Sequence, residues 1–251
     1  MSSLNNIRST VKDLLIFLWQ KILFRKPLSI LMYHSVSETG QFFTVKPGEF
    51  AKQMRYLNDK RYNVLSFSEV LKYIENKNIL PQKSVIITFD DGYKDNYDVV
   101  FPIIKKYNFP ITVFLTTGLV GQSRALKGGG SLPILSETEI KEMSQSGLVS
   151  FQPHGHTHAK LWQMDDESVK KEISDSKKYL DDLLGISTEI YAYAWGKYND
   201  RILSIVSGLF RCAVSVRSGF CSATDFIDNK FHLPRQAIDS KVNFFRFKLK
   251  I

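Results

Sequence analysis

The chain has 251 residues, 43% hydrophobic and 24% charged, enough for one large domain with a sizeable core and too few for two comfortable ones. Its 34 Lys+Arg against 25 Asp+Glu give a formal charge of +9, which suits an anionic neighbour. No run of five or more basic residues appears, so a solvated basic surface is expected and no nucleic-acid partner.

The two cysteines, Cys212 and Cys221, form no Cys-x-x-Cys motif for zinc or redox work, and free thiols are expected. Residues 1–27 form a separate N-terminal amphipathic segment. The run from Val11 to Phe24 is apolar but broken by Gln20 and Lys21, short of the roughly 20 apolar residues of a spanning helix. No cleavable signal peptide is evident. Arg8, Lys12, Lys21, Arg25 and Lys26 flank an apolar stripe containing Trp19. That pattern fits a helix lying in a membrane interface through residues 8–26, and equally a helix packed on the domain's own surface. The expected location is therefore peripheral to a membrane.

Residues 28–251 read as one domain. Leu28–Val36 is a buried strand ending on His34, and Phe50, Met54 and Leu57 recur at helical spacing after it. Ser84-Val85-Ile86-Ile87-Thr88-Phe89 is an apolar, β-branched strand that ends on Asp90-Asp91-Gly92-Tyr93. A helix over about 97–107, a strand over Pro110–Leu115 and a polar loop over Ala125–Ser131 come next. Ser136 and Glu139 form a capping box opening a helix that Gly147 closes. A short strand, Leu148–Phe151, leads into Pro153-His154-Gly155-His156-Thr157-His158. The helix over about Asp166–Leu184 stops at Gly185. A strand over Glu189–Ala194, a helix near Asp200–Leu209 and a strand over Cys212–Val216 continue the alternation. Apolar strands without period-two polarity, alternating with helices, predict an α/β fold with a parallel sheet, expected to form a closed or distorted barrel. Asp90, Asp91, His34, His154 and His158 all fall at or just past strand ends, where such folds gather their chemistry.

Two adjacent carboxylates resist joint ionisation unless a cation or a shared proton relieves them. Only five histidines are present, and three of them lie in His154-Gly-His156-Thr-His158. His154 and His158 are four apart, so one helical turn or a tight loop aims both rings the same way, with His156 displaced. Two imidazoles and one carboxylate make a site for Zn²⁺, or for Co²⁺, Ni²⁺ or Fe²⁺, and the neighbouring carboxylate is then free to act as a base.

Thr88-Phe89-Asp90-Asp91-Gly92-Tyr93 and His154-x-x-x-His158-x-x-Leu161 resemble the first two motifs of the polysaccharide deacetylases, the NodB-homology or carbohydrate esterase family four. Phe114–Gly118, Glu142-Met143-x-x-x-Gly147 and Glu172-Ile173-x-x-Ser176 extend the likeness, which runs from about Leu28 to the C-terminus. The resemblance implies a distorted (β/α) barrel and a divalent metal ion, Zn first among the choices. It implies Asp90 as catalytic base and Asp91, His154 and His158 as metal ligands. Tyr193–Tyr198 resembles the third motif, so the Trp195 N–H is expected to bind the oxyanion, with Tyr93 also placed at the substrate. Ala194 stands where proline is usual, and Ala192 where many members carry an arginine bracing the base. Leu233-Pro234-Arg235 resembles an element that brings an arginine from the C-terminal side, so Arg235 is expected to pair with Asp90. Leu31-Met32-Tyr33-His34 resembles the permuted subgroup that includes poly-N-acetylglucosamine deacetylases, which implies His34 as the general acid. The expected function is metal-dependent removal of N-acetyl groups from amino sugars of a polysaccharide or saccharide precursor. The alternatives are a metal-dependent amidase on a non-glycan substrate and a catalytically silent carbohydrate-binding domain.

Overall fold

The computed structural model describes residues 28–126 and 129–251. The amphipathic segment read over residues 1–27 lies outside the described residues. In chain order the strands are β1 (Ser29–Tyr33), β2 (Ser35–Val36), β3 (Thr44–Val45), β4 (Asn63–Val64), β5 (Ser84–Asp91), β6 (Ile111–Leu115), β7 (Ser123–Ala125), β8 (Ser131–Pro133), β9 (Val149–Pro153), β10 (Ile190–Ala192), β11 (Cys212–Ser218) and β12 (Leu233–Ala237). The helices are α1 (Pro47–Asp59), α2 (Phe67–Glu75), α3 (Phe101–Tyr107, entered through a π-helical turn over Asn96–Val100), α4 (Glu137–Gln145), α5 (Asp166–Leu184), α6 (Asp200–Leu209), α7 (Ala223–Asp228) and α8 (Phe244–Leu249).

Eight strands form one sheet in the order β10-β11-β12-β1-β5-β6-β9, with β4 paired to the start of β5. Every pairing in it is parallel. The strands show no apolar–polar alternation because both faces are covered. Along β5, Val85, Ile87 and Phe89 join the cluster that packs under the helices, whereas Ile86 joins a second cluster with Ile30, Phe114, Ala192, Val214 and Leu233 from the other strands. Period-two geometry therefore aims Ile86, Thr88 and Asp90 into the barrel. Phe67, Val70 and Leu71 of α2 belong to this inner cluster.

Strands β9 and β10 are the two ends of the sheet, and a side chain spans the gap between them. Gln152 Oε1 accepts from the backbone N–H of Glu189 (3.0 Å) and Ile190 (2.9 Å), and its Nε2 donates to Ser150 Oγ (3.0 Å). An amide thus takes the place of a ladder, which makes a nearly closed barrel surrounded by helices.

The capping signals act as the sequence predicts. Ser136 and Glu139 close a reciprocal capping box on α4, and Gly185 ends α5 in the left-handed conformation (φ 65°). Ala125 and Ser131, the two ends of the polar stretch read as a loop, are instead paired strand residues of an antiparallel hairpin, β7 against β8. Cys212 and Cys221 are free and buried, and burial pushes both thiols up, Cys212 to about 12. No helix among the described residues is long and apolar enough to cross a membrane.

Replacing Gln152 by leucine strands two N–H groups, that of buried Ile190 and that of half-buried Glu189. Each such loss costs about 1–3 kcal/mol, so urea unfolding of Gln152→Leu is expected to show a lower midpoint at unchanged slope.

Candidate active site

The barrel mouth is built around a buried ion pair. Arg235 is fully buried and grips Asp90 in bidentate fashion, Nη1 to Oδ1 and Nη2 to Oδ2 at 2.7 Å each. Two more of its donors are engaged: Nε gives to Ser215 O (2.9 Å) and Nη1 to Thr88 Oγ1 (3.2 Å), while Thr88 Oγ1 donates to Leu31 O (2.7 Å). The guanidinium lies over the Phe114 ring at 5.6 Å. A break in register between Val214 and Ser218 of β11 accompanies this seat. Burial alone pushes the Asp90 carboxyl up, but the Arg235 charge, with His154, its two hydrogen bonds and His34 adding to it, holds it well below the usual carboxylate range. Arg235 thus occupies the bracing role that Ala192 leaves open.

Beside this pair, ligand atoms of Asp91, His154 and His158 lie within 4.8 Å of one another. Asp91 ends β5 and His154 follows β9, two parallel strands separated by β6, so the barrel itself sets their spacing. His154 Nδ1 is bonded to Ala192 O (2.9 Å). A carbonyl only accepts, so that nitrogen carries the proton and Nε2 presents its lone pair toward Asp91, 3.7 Å away. Burial lowers His154, and burial with His154 beside it pushes His158 down to about 3. Both rings are therefore neutral, as a metal requires. Two neutral imidazoles and a carboxylate suit a divalent ion, which Asp91, His154 and His158 would hold.

Backbone conformation aims these groups. Asp91 (φ 73°), His158 (φ 60°) and Trp195 (φ 62°) all adopt the left-handed region that side chains other than glycine seldom occupy. Strict alternation would send Asp91 to the sheet face opposite Asp90, and the left-handed residue turns it to the mouth instead. Gly92 (φ 81°) follows, and a Cβ there would overlap Leu115 Cδ1. Buried Glu172 of α5 sets the loop between the histidines, accepting from Thr157 N (2.6 Å) and Thr157 Oγ1 (3.0 Å).

The other residues singled out in the sequence are placed as follows. His34 follows β1, its ring 6.0 Å from that of Phe43. Asn96 Nδ2 donates to His34 O (3.1 Å), fixing the strand end. His156 points away, its Nδ1 3.0 Å from Thr117 Oγ1. The Trp195 indole donates to His158 O (3.0 Å), its ring 5.2 Å from that of His158, and the residue is 42% exposed. Tyr93 is only 2% exposed and stacks on Phe43 at 5.6 Å. Burial and then the Asp91 carboxylate push its phenol far up, so it stays a protonated neighbour of Asp91 and offers little surface to a substrate.

Sequence reasoning missed Arg124. Carried on β7, its guanidinium pairs with Asp91 and lies 3.1 and 3.3 Å from the two ring nitrogens of His158. The hairpin is anchored to the Asp90-Asp91-Gly92 turn, with Lys94 N giving to Pro133 O (2.8 Å) and Leu135 N to Gly92 O (3.0 Å). Arg124 is thus an internal cation on two of the three metal-binding side chains.

Fold and site together define a barrel hydrolase with a mononuclear two-histidine, one-aspartate cradle beside a spare carboxylate. Comparison with known proteins agrees. Residues 77–209 match the polysaccharide deacetylase family model, and the chain belongs to that family. A poly-β-1,6-N-acetyl-D-glucosamine N-deacetylase of Staphylococcus aureus is 28% identical over 218 residues, 82% of this chain and 72% of its own. The Bacillus subtilis protein YxkH is 35% identical over 176 residues, 70% of this chain, and this chain spans 59% of its length. Among solved structures, the Streptococcus pyogenes deacetylase PplD in complex with acetate superposes with a TM-score of 0.78 at 32% identity, covering 90% of this chain and 99% of that one.

Two outcomes test the cradle. Glu172→Ala is expected to bind divalent metal roughly 10–100-fold more weakly, read by Zn²⁺ titration against a chromogenic chelator. Arg124→Ala is expected to bind it more tightly than the parent in the same titration, because a competing cation has gone.

Proposed function

We propose that this chain is a metal-dependent hydrolase that removes N-acetyl groups from amino sugars of a polysaccharide or saccharide precursor. The observation that carries the reading is the Arg235-braced Asp90 carboxylate directly beside the Asp91–His154–His158 cradle. An amide resists water, so a base, an electrophile and an acid are all required. A divalent ion in the cradle, Zn²⁺ by the character of its nitrogen and oxygen donors, supplies Lewis acidity for the acetyl carbonyl and the attacking water.

The chain's own groups do the rest. Asp90, kept ionised by Arg235, takes the proton of the attacking water. The backbone N–H of Trp195 faces the developing oxyanion. His34, on the neighbouring strand, gives a proton to the departing amine. Acetate and a free amino sugar leave. The S. aureus relative acts on an N-acetylated glycan by name, and the exposed Trp195 face beside His158 gives a sugar ring a place to stack. We further place the protein peripheral to a membrane through residues 8–26, on the strength of their flanking cations and apolar stripe.

Asp90→Asn and His34→Ala are each expected to lose roughly 10²–10⁴-fold in acetate release while keeping metal; His158→Ala is expected to lose metal as well. Acetate release from N-acetylglucosamine oligomers, set against a panel of small amides, separates a glycan deacetylase from a general amidase. The Arg235 brace has a pH signature. A depressed Asp90 pKa means the base is ionised across the neutral range, and the stability linked to it is present above the unfolded carboxylate range and lost as pH falls. Removing the cation leaves burial dominant and raises that pKa. Arg235→Met is therefore expected to move the acid limb of the pH–rate profile upward.

A further inference from the structure

One flank of the barrel carries three of the most exposed large apolar side chains among the described residues: Phe42 (71%), Phe245 (64%) and Leu249 (63%). They belong to adjoining segments. Ser240, just ahead of α8, donates from its N (3.1 Å) and Oγ (3.0 Å) to Phe42 O. Phe245 and Leu249 are four apart on α8, which puts them on one face.

Cations surround this apolar surface. Helix α8 holds Arg246 and Lys248 and no carboxylate. Lys46, Lys52 and Lys241 line a cleft of about 570 Å³ between the start of α1 and the segment leading into α8, along with Glu49 and Asp239. Ammonium groups and rings interleave here, with Lys52 Nζ 4.4 Å from the centre of Phe244 and Lys248 Nζ 5.8 Å from that of Phe245. The carboxylates offset little of the charge: Lys46–Glu38 at 3.9 Å and Lys52–Glu49 at 4.0 Å are long and solvated.

We propose that this flank is the face by which the folded domain rests on an anionic lipid bilayer. Phe42, Phe245 and Leu249 enter the boundary between headgroups and acyl chains, and the surrounding lysines and Arg246 meet lipid phosphates. Three observations favour a bilayer over another protein. The charge on the flank complements an anionic surface. Residues 1–27 join the domain at Leu28, and the next residue, Ser29, donates through Oγ to Lys250 O at the end of α8, so the segment with the interfacial sequence pattern is joined to the domain at this same flank. Finally, Phe42 is followed by Phe43, which stacks on Tyr93 and lies 6.0 Å from the His34 ring, so the flank leads straight to the mouth of the site. The proposal does not depend on the catalytic reading.

The test is sedimentation of the full chain with vesicles of phosphatidylcholine alone or with added phosphatidylglycerol. Strong binding is expected only to the anionic vesicles. The combined variant Phe42→Ser, Phe245→Ser, Leu249→Ser is expected to bind them roughly tenfold or more weakly, with its thermal unfolding and its Zn²⁺ titration unchanged. Phe245→Trp, in otherwise parental protein, is expected to add indole emission that brominated lipid quenches, which locates this flank and not residues 8–26 at the bilayer. Equal binding of the triple variant overturns the proposal, as does added emission from the Phe245→Trp protein that brominated lipid leaves unquenched. Absence of vesicle binding, with self-association that the triple variant abolishes, overturns it in favour of contact between copies of this chain.

Discussion

The Asp90–Arg235 pair is the constraint on which the site depends. A carboxylate inside the barrel is costly to ionise, and the base role proposed for Asp90 requires it ionised. A solvated lysine would not answer the need, because the pair is bidentate and two more guanidinium donors must be held by Ser215 O and Thr88 Oγ1. That requirement reaches far along the chain. It ties β12 to β5, which β1 separates in the sheet, and it uses a register break in β11 to offer a carbonyl inward. Breaking such a pair from one side leaves an uncompensated buried charge, which costs far more than the pair contributes to stability. The pair is therefore best understood as an arrangement kept for the charge state of one oxygen pair.

Next to it, charge balance explains the crowding at Asp91. Asp90 has its own cation, so Asp91 is the carboxylate free to serve an ion, and two neutral imidazoles converge on it. Arg124 lies on the same atoms. A guanidinium and a dication cannot both be near Asp91 without strong repulsion, so the hairpin that carries Arg124 and the cradle form one electrostatic unit.

Much of this was legible in the sequence for a simple reason. Asp90, Asp91, His154 and His158 sit in two short local motifs, where spacing and turn chemistry act over a few residues. The capping boxes and the left-handed Gly185 are likewise local. Arg235 was readable only through likeness to a Leu-Pro-Arg element, since nothing local shows that its side chain crosses the barrel to a residue 145 positions away in sequence. Arg124 was invisible. It stands alone just before the stretch read as a loop, with no motif around it, and the hairpin that delivers it is anchored to the Gly92 turn. Gln152 escaped notice for the same reason, because its role as a substitute for a missing ladder exists only once β9 and β10 face each other. Tyr93 belongs to the same local motif, but that its ring packs on Phe43 beside Asp91 emerges only from the fold.

The position of His34 near the start of the domain follows from the barrel as well. In the sheet β1 lies between β12 and β5, and Tyr33 pairs with Phe89, so the residue after β1 emerges level with Asp90, wherever in the chain that strand occurs. A barrel has no privileged first strand. In the proposed reaction the proton donor stands at the end of the strand adjacent to the base, the base serving the attacking water and the donor the departing amine. Asn96, whose Nδ2 donates to His34 O, comes from the segment directly after the Asp90-Asp91-Gly92 turn, so the chain that follows β5 also fixes the end of β1.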